Sequence, residues 1–254
     1  MKKSLLIAII LVVGISSAFA SKTYKAKKNI SLEFTLKEGT NSSAVVWNKD
    51  KQLYYAVFAG NSDYPLEVFS PTGEQLYSGK VGVDVRGLWY NSKSKRLEGN
   101  SAGDAGIFSI NLDRIGNPSE AKVLKTGQFQ PEFQSVGAFD SKKQIIYYYN
   151  EGKIYPYKIK NGASLKSFKI SDCPADIENL NSTTVISTDI KGSELGLLDY
   201  NSQKIYLFDL KGKFSATIEL PSDAICKDFF CFSYANNKVW LYDIENRTWS
   251  GYSF

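Results

Sequence analysis

Residues 137–150 read GAFDSKKQIIYYYN: a short apolar run, a turn of Asp, Ser and Lys, then a second run rich in Tyr. That order of residues is the signature of a β-hairpin, with turn formers between two stretches that favour a pleated, half-buried surface. The phrase recurs as AVVWNKDKQLYYAVF from Ala44, GLWYNSKSKRLEGN from Gly87, ENLNSTTVISTD from Glu178 and FCFSYANNKVWLYD from Phe230. The anchors Trp47, Trp89, Phe139, Leu180 and Phe232 stand 42, 50, 41 and 52 residues apart, close to the roughly 40 to 50 residues of a four-stranded propeller blade. A second phrase of strand, Gly-containing turn and strand begins at Leu66, Ile107, Ile154 and Ile205 and reads as the outer hairpin of each blade. No stretch of ten or more residues carries a capped 3.6-residue periodicity, so the expected class is all-β with almost no helix.

Some twenty short strands in one open sheet would leave long unpaired edges, which radial blades avoid. The expected architecture is therefore a β-propeller over residues 21–254, with a two-sheet sandwich as the alternative. The alternating segment Asn29 to Leu36 precedes the first repeat and would close the ring by pairing with Arg247 to Phe254. Five or six blades fit the length; LGLLDYNSQKIYLFD within 194–220 resembles a further repeat start and could be a degenerate sixth.

The first twenty residues have a different composition. Lys2 and Lys3, an apolar run from Leu5 to Ile15 and the small-x-small Ala18-Phe19-Ala20 read as a cleaved secretory signal, since the run is shorter than the roughly 18 to 20 residues of a membrane span. The expected mature chain starts at Ser21 and is secreted or periplasmic, with no membrane span. The whole chain has 31 basic and 26 acidic side chains and a formal charge of +5. Without Lys2 and Lys3 the excess falls to +3, too small and too dispersed to argue for nucleic acid. The run Lys22, Lys25, Lys27, Lys28 reads as a solvated tail. The chain contains no His, which removes Ser-His-Asp and Cys-His nucleophiles, imidazole bases and HExxH zinc sites from consideration.

In a propeller the residues leading into each inner strand gather on one face, where loops on a rigid scaffold can bind. Asp84 and Arg86, Glu132 and Gln134, Asp176 and Glu178, and Lys227 and Asp228 occupy those positions and form a candidate polar ring for a protein, peptide or glycan. The odd set Cys173, Cys226 and Cys231 would enter an oxidising compartment. Cys173 and Cys226 hold similar places before the inner strands of neighbouring blades, so a Cys173–Cys226 bridge is expected, with Cys231 as the buried free thiol.

The segment KEGTNSSAVVWNKDKQLYY, from Lys37, resembles the first blade of the gluconolactonase and senescence-marker-protein propellers, where Glu-Gly-Pro leads into a Val-Trp-Asp strand. The resemblance implies a metal-assisted lactonase or esterase with calcium or another divalent cation, for which Glu38 would be a ligand. Here the Pro is missing and five further residues precede Val45. The later ligand motifs of that family fall near Ser135-Val136-Gly137, without Asn, and Pro174-Ala175-Asp176, with the acid displaced by one. A one-residue slip turns a strand side chain to the other face, and calcium needs six to eight oxygen ligands. The repeat phrases also resemble exported bacterial propellers of the NHL type. The preferred reading is a non-catalytic binding propeller without cofactor; the metal-assisted hydrolase is the alternative.

Overall fold

The computed structural model describes residues 21–34 and 41–254; the expected leader, residues 1–20, and Glu38 lie outside the described residues. The described residues open with β1 (Lys22–Lys25) and β2 (Lys27–Glu33), which belong to the last two blades. Blade 1 is β3 (Ser42–Asn48), β4 (Leu53–Phe58), β5 (Pro65–Phe69) and β6 (Gln75–Lys80). Blade 2 is β7 (Val85–Asn91), β8 (Arg96–Ser101), β9 (Ile107–Leu112) and β10 (Pro118–Lys125). Blade 3 is β11 (Ala138–Asp140), β12 (Ile145–Asn150), β13 (Lys153–Lys158) and β14 (Phe168–Lys169). Blade 4 is β15 (Ile186–Ser187), β16 (Leu195–Asp199), β17 (Lys204–Phe208) and β18 (Phe214–Glu219), and blade 5 is β19 (Phe232–Ala235), β20 (Lys238–Asp243) and β21 (Thr248–Ser253), completed by β2. Besides these strands, the described residues form only two single-turn 3-10 helices, Gly103–Ala105 and Ile177–Asn179.

This is an all-β propeller of five blades, and the segment considered for a sixth is the middle of blade 4: LGLLD is β16 and KIYLF is β17. The N-terminal closure is present, with β2 running antiparallel to β21 from Lys27 opposite Ser253 to Glu33 opposite Thr248. The lysine run ahead of it is not a free tail. Lys22–Lys25 adds a fifth strand to blade 4, parallel to β18, with Lys22 opposite Ala216. A further correction concerns Leu180, which lies six residues before β15 and makes only an isolated bridge to Asp199.

Strand alternation gives each blade two apolar faces, and five hydrophobic clusters occupy the five seams between blades. Val45, Tyr54 and Phe58 pack on Trp240, Tyr242 and Trp249 between blades 1 and 5. Val46, Tyr55 and Val57 meet Leu88, Leu97 and Phe108 between blades 1 and 2. The Tyr147-Tyr148-Tyr149 run serves two seams, Tyr148 facing Trp89 of blade 2 while Tyr147 and Tyr149 face Leu197 and Tyr206 of blade 4. Leu198, Ile205 and Leu207 pack on Val239 and Leu241 between blades 4 and 5. The inner hairpins share a turn device: Asn48, Asn91 and Asp140 accept backbone N–H bonds two or three residues on, and Gln52, Lys95 and Gln144 take φ of 56 to 58° to start the second strand. Asn and Asp suit this because a short side-chain oxygen reproduces a backbone turn.

All three cysteines are free thiols, and the expected Cys173–Cys226 bridge is not formed. The two lie on opposite flanks of blade 4, Cys173 against the blade 3 seam and Cys226 against the blade 5 seam. Burial pushes the Cys226 and Cys231 thiols up to about 12. Among the described residues no helix is long and apolar enough to cross a membrane.

Candidate functional site

The inner strands β3, β7, β11, β15 and β19 surround the axis, each running from a leading end to a trailing end where it turns into the second strand of its blade. At the leading end the structure brings together three of the residues singled out from sequence. Arg86, 4% exposed, donates from Nε to Gln134 Oε1 at 2.6 Å and from Nη2 to Asp84 Oδ2 at 3.1 Å, and Nη1 contacts Asp84 Oδ1. Its guanidinium carbon lies 5.5 Å from the centre of the Phe230 ring in blade 5, so the side chain reaches across the axis. Asp84 also accepts the Gly60 amide at 2.7 Å. A buried guanidinium needs its hydrogen bonds met, and here blades 2 and 3 meet them while the Phe230 ring of blade 5 lies against it.

Backbone and amide groups close the remainder of that end. Asn100 donates to Gln130 Oε1 and Ser135 O and accepts from Gly137 N; Asn181 donates to Lys227 O and Phe230 O. Gly87 permits the close approach of blades 2 and 3, since a Cβ there would meet Gly137 N at 2.7 Å. The other residues of the expected ring stay apart from the Arg86 network. Glu132 is exposed, with its amide bound to Ser135 Oγ. Asp176 and Glu178 are exposed on the single turn around Ile177–Asn179. Asp228 is exposed and Lys227 half-buried in the loop before β19, where their carbonyls accept bonds from Ser182 and Asn181.

The trailing end is open. A cavity of ≈ 400 Å³ runs from the inner hairpin turns down between the inner strands, within the roughly 300 to 1,000 Å³ typical of small-ligand sites. Trp47, Tyr90, Phe139 and Tyr234, the penultimate residues of β3, β7, β11 and β19, are half-buried and line its mouth, with Ser187 in the corresponding place on blade 4. The rings are held from behind. Trp47 packs 4.5 Å from Tyr54, whose oxygen accepts a 2.7 Å bond from Asn236. Tyr90 donates to Asp50 Oδ2 at 2.6 Å, and Phe139 stacks on Trp89 at 5.5 Å and 26°. Burial pushes the Tyr234 phenol up to about 12, helped by the charge of Asp189, and burial followed by the Asp50 bond raises Tyr90. Both stay neutral donors at ordinary pH.

Deeper in the cavity, the Ser233 hydroxyl bonds both the amide and the carbonyl of Val45 at 3.0 Å, tying blade 5 to blade 1. Two other lining groups, Ser43 Oγ and Trp89 Nε1, have no hydrogen-bond partner among the described residues. The single carboxylate in the lining, Asp189, sits on the rim and pairs with Lys142 at 2.9 Å. A separate cleft of ≈ 540 Å³ on blade 5 includes Lys28, Glu33 and Asp243, but it lies on one flank, where the five blades do not converge.

Sequence reasoning located Trp47 and Phe139 as anchors and missed the mouth they line, together with Tyr90 and Tyr234. The signal was present as an aromatic immediately before the turn residue in Trp47-Asn48, Tyr90-Asn91 and Phe139-Asp140. The residues matched to the calcium motif do not fit a metal centre. Ser135 uses its hydroxyl and carbonyl on the Glu132 amide and Asn100, and Asp176 is exposed. Among the described residues no three His, Cys, Asp or Glu side chains are grouped to hold a metal ion.

In fold the chain is similar to a glutaminyl cyclase from Myxococcus xanthus, with a TM-score of 0.60 over 92% of this chain and 97% of that one at 8% sequence identity. The sequence matches no protein-family model and no curated protein. The likeness of the first blade to gluconolactonase propellers, and of the repeat phrases to NHL propellers, thus has no family match behind it, and the similarity that stands is that of a β-propeller.

Proposed function

We propose that this protein is an exported binding propeller whose trailing-end cavity takes a saccharide ring. The observation that carries the reading is the mouth, where four half-buried aromatics from four blades surround a space the size of a small-ligand site. Aromatic faces receive the C–H faces of a pyranose, while the Tyr phenols and the hydroxyl and amide groups of Ser92, Ser141, Ser187, Asn236 and Asn237 are placed to bond its hydroxyls. The lining offers no buried carboxylate, Cys or Lys to act as base or nucleophile, which favours binding over turnover. The glutaminyl cyclase similarity, at 8% identity, is one of fold and does not carry that activity here.

The test is titration of the protein with oligosaccharides of several classes, followed by tryptophan fluorescence and calorimetry. At least one should perturb the emission of Trp47 and Trp89. Trp47→Ala and Tyr234→Ala should each weaken binding about tenfold, about 1.4 kcal/mol, with the far-ultraviolet spectrum retained. Unchanged affinity in both variants, or no response to any saccharide, would overturn the reading.

A further inference from the structure

Four of the five inner hairpin turns that surround the mouth carry lysine. Lys49 and Lys51 stand in blade 1, Lys93 and Lys95 in blade 2, Lys142 and Lys143 in blade 3 and Lys191 in blade 4; in blade 5 the turn is Asn236-Asn237, and Lys238 opens β20 with its Nζ bonded to Asn236 O. The same turns contain Asp50, Asp140, Asp189 and Glu194, and each of these acids is engaged. Asp50 holds the Tyr90 hydroxyl, Asp140 caps its own turn through the Lys142 and Lys143 amides, Glu194 accepts the Gly192 amide and Asp189 pairs with Lys142. Lys49, Lys93, Lys143 and Lys191 are exposed and have no ion-pair partner among the described residues. Bonds from neutral donors leave those carboxylates charged, so the turns hold seven lysines against four acids, an excess of three positive charges on one face of a chain whose formal charge is +5.

From the coincidence of this lysine ring with the aromatic mouth, we infer that the ligand is the end of an acidic glycan, a chain of uronate sugars whose terminal ring enters the cavity while the carboxylates behind it lie among the turns. This rests on the saccharide reading above and adds the charge and the direction of the chain. An end is indicated because the axis is closed below the cavity by Arg86, Asp84, Gln134 and Phe230, so a polymer cannot thread through. Carboxylate is indicated over phosphate because the free cations are lysines, mobile point charges suited to spaced single charges; planar guanidinium forks are preferred for bidentate phosphate contacts. Single-stranded nucleic acid calls for open aromatic platforms along a groove, whereas these rings are half-buried and surround a hole.

The probe is an oligogalacturonate with its methyl ester as the uncharged comparator, each titrated into the full-length protein. The acid should bind at least tenfold tighter at 20 mM salt, and most of that advantage should vanish by 300 mM. Lys93→Gln combined with Lys191→Gln should cut the affinity for the acid at least threefold and leave that for the ester unchanged. Lys211→Gln with Lys213→Gln, on the outer turn of blade 4, should change neither. Equal binding of acid and ester would overturn the acidic-glycan inference and leave the saccharide site standing; binding of neither, nor of any other saccharide, would remove both. Tighter binding of an oligothymidylate than of the acid, or equal losses from the outer-turn pair, would also overturn it.

Discussion

The two ends of the axis are made from the same five inner strands and have opposite characters. At the centre of the leading end the Arg86 charge is buried and spent internally on Asp84 and Gln134 under Phe230, while Glu132, Asp176, Glu178 and Asp228 lie exposed around it. At the trailing end the charge is exposed and unspent, and aromatic rings line an open cavity. The difference teaches that polar residues gathered on a propeller face can be either a ligand site or a plug. The two are told apart by whether their hydrogen bonds are already met from neighbouring blades. Arg86 and Glu178 look equivalent as letters before an inner strand, yet one is nearly inaccessible and the other lies in solvent.

The largest effect expected from breaking this contrast comes from Arg86→Met. It leaves the Asp84 carboxylate without its cation, and because that carboxylate is 28% exposed and keeps the Gly60 amide the cost is about 2 kcal/mol, below that of a fully buried pair. The urea midpoint should fall accordingly, while saccharide affinity of the folded variant at the opposite end stays within twofold of the parent. Glu178→Gln should change neither quantity. A stable Arg86→Met protein with lost ligand binding would reverse the assignment of the two ends.

An intermediate effect is expected from alkaline pH, which acts on the seams shared by both ends. Burial pushes Tyr55, Tyr147 and Tyr149 up to about 12, against about 10 in an unfolded chain. Folding thus favours the neutral phenols: their contribution is whole below pH 10 and is lost as pH climbs from 10 towards 12. The urea midpoint should be insensitive to these groups up to about pH 9.5 and then drop, in step with phenolate absorbance. Ionisation of these tyrosines near pH 10 without loss of stability would show that the seams are open to water.

The smallest effect concerns the thiols. Cys231 lies 1% exposed beside Ser42 at the leading end, and both it and Cys226 titrate only near 12, so little thiolate exists at pH 8. A disulfide-exchange reagent should react slowly with the native protein and count three thiols in urea. Finding one thiol in urea would restore a bridge.

The hairpin repeat, the all-β class and the N-terminal closure were legible because each rests on local pattern: aromatic runs, Asx turns and one alternating segment left over. Blade 4 was harder. Its inner strand is only Ile186–Ser187, and the Asn179 to Thr184 stretch that precedes it imitates a hairpin turn while serving as a polar lead-in held by Asn181. That shifted the anchor to Leu180 and let β16 and β17 pass for another repeat. The Cys173–Cys226 pairing inherited the same misalignment. At the site, the sequence identified loop residues but held no sign of which end of the axis would be sealed, because closure depends on contacts between blades more than forty residues apart, such as Arg86 with Gln134.

The placement of β1 and β2 has a consequence for the order of events during synthesis. These strands are made before every other described strand, yet their partners are β18 and β21, with Lys27 opposite Ser253. The segment must wait, unpaired, until β18 and β21 have been made. A chain stopped before Thr248 would have four blades made and a fifth with neither its third strand nor a place for its fourth, so the ring can lock only once β21 exists. Long-range pairing of this kind makes folding slow.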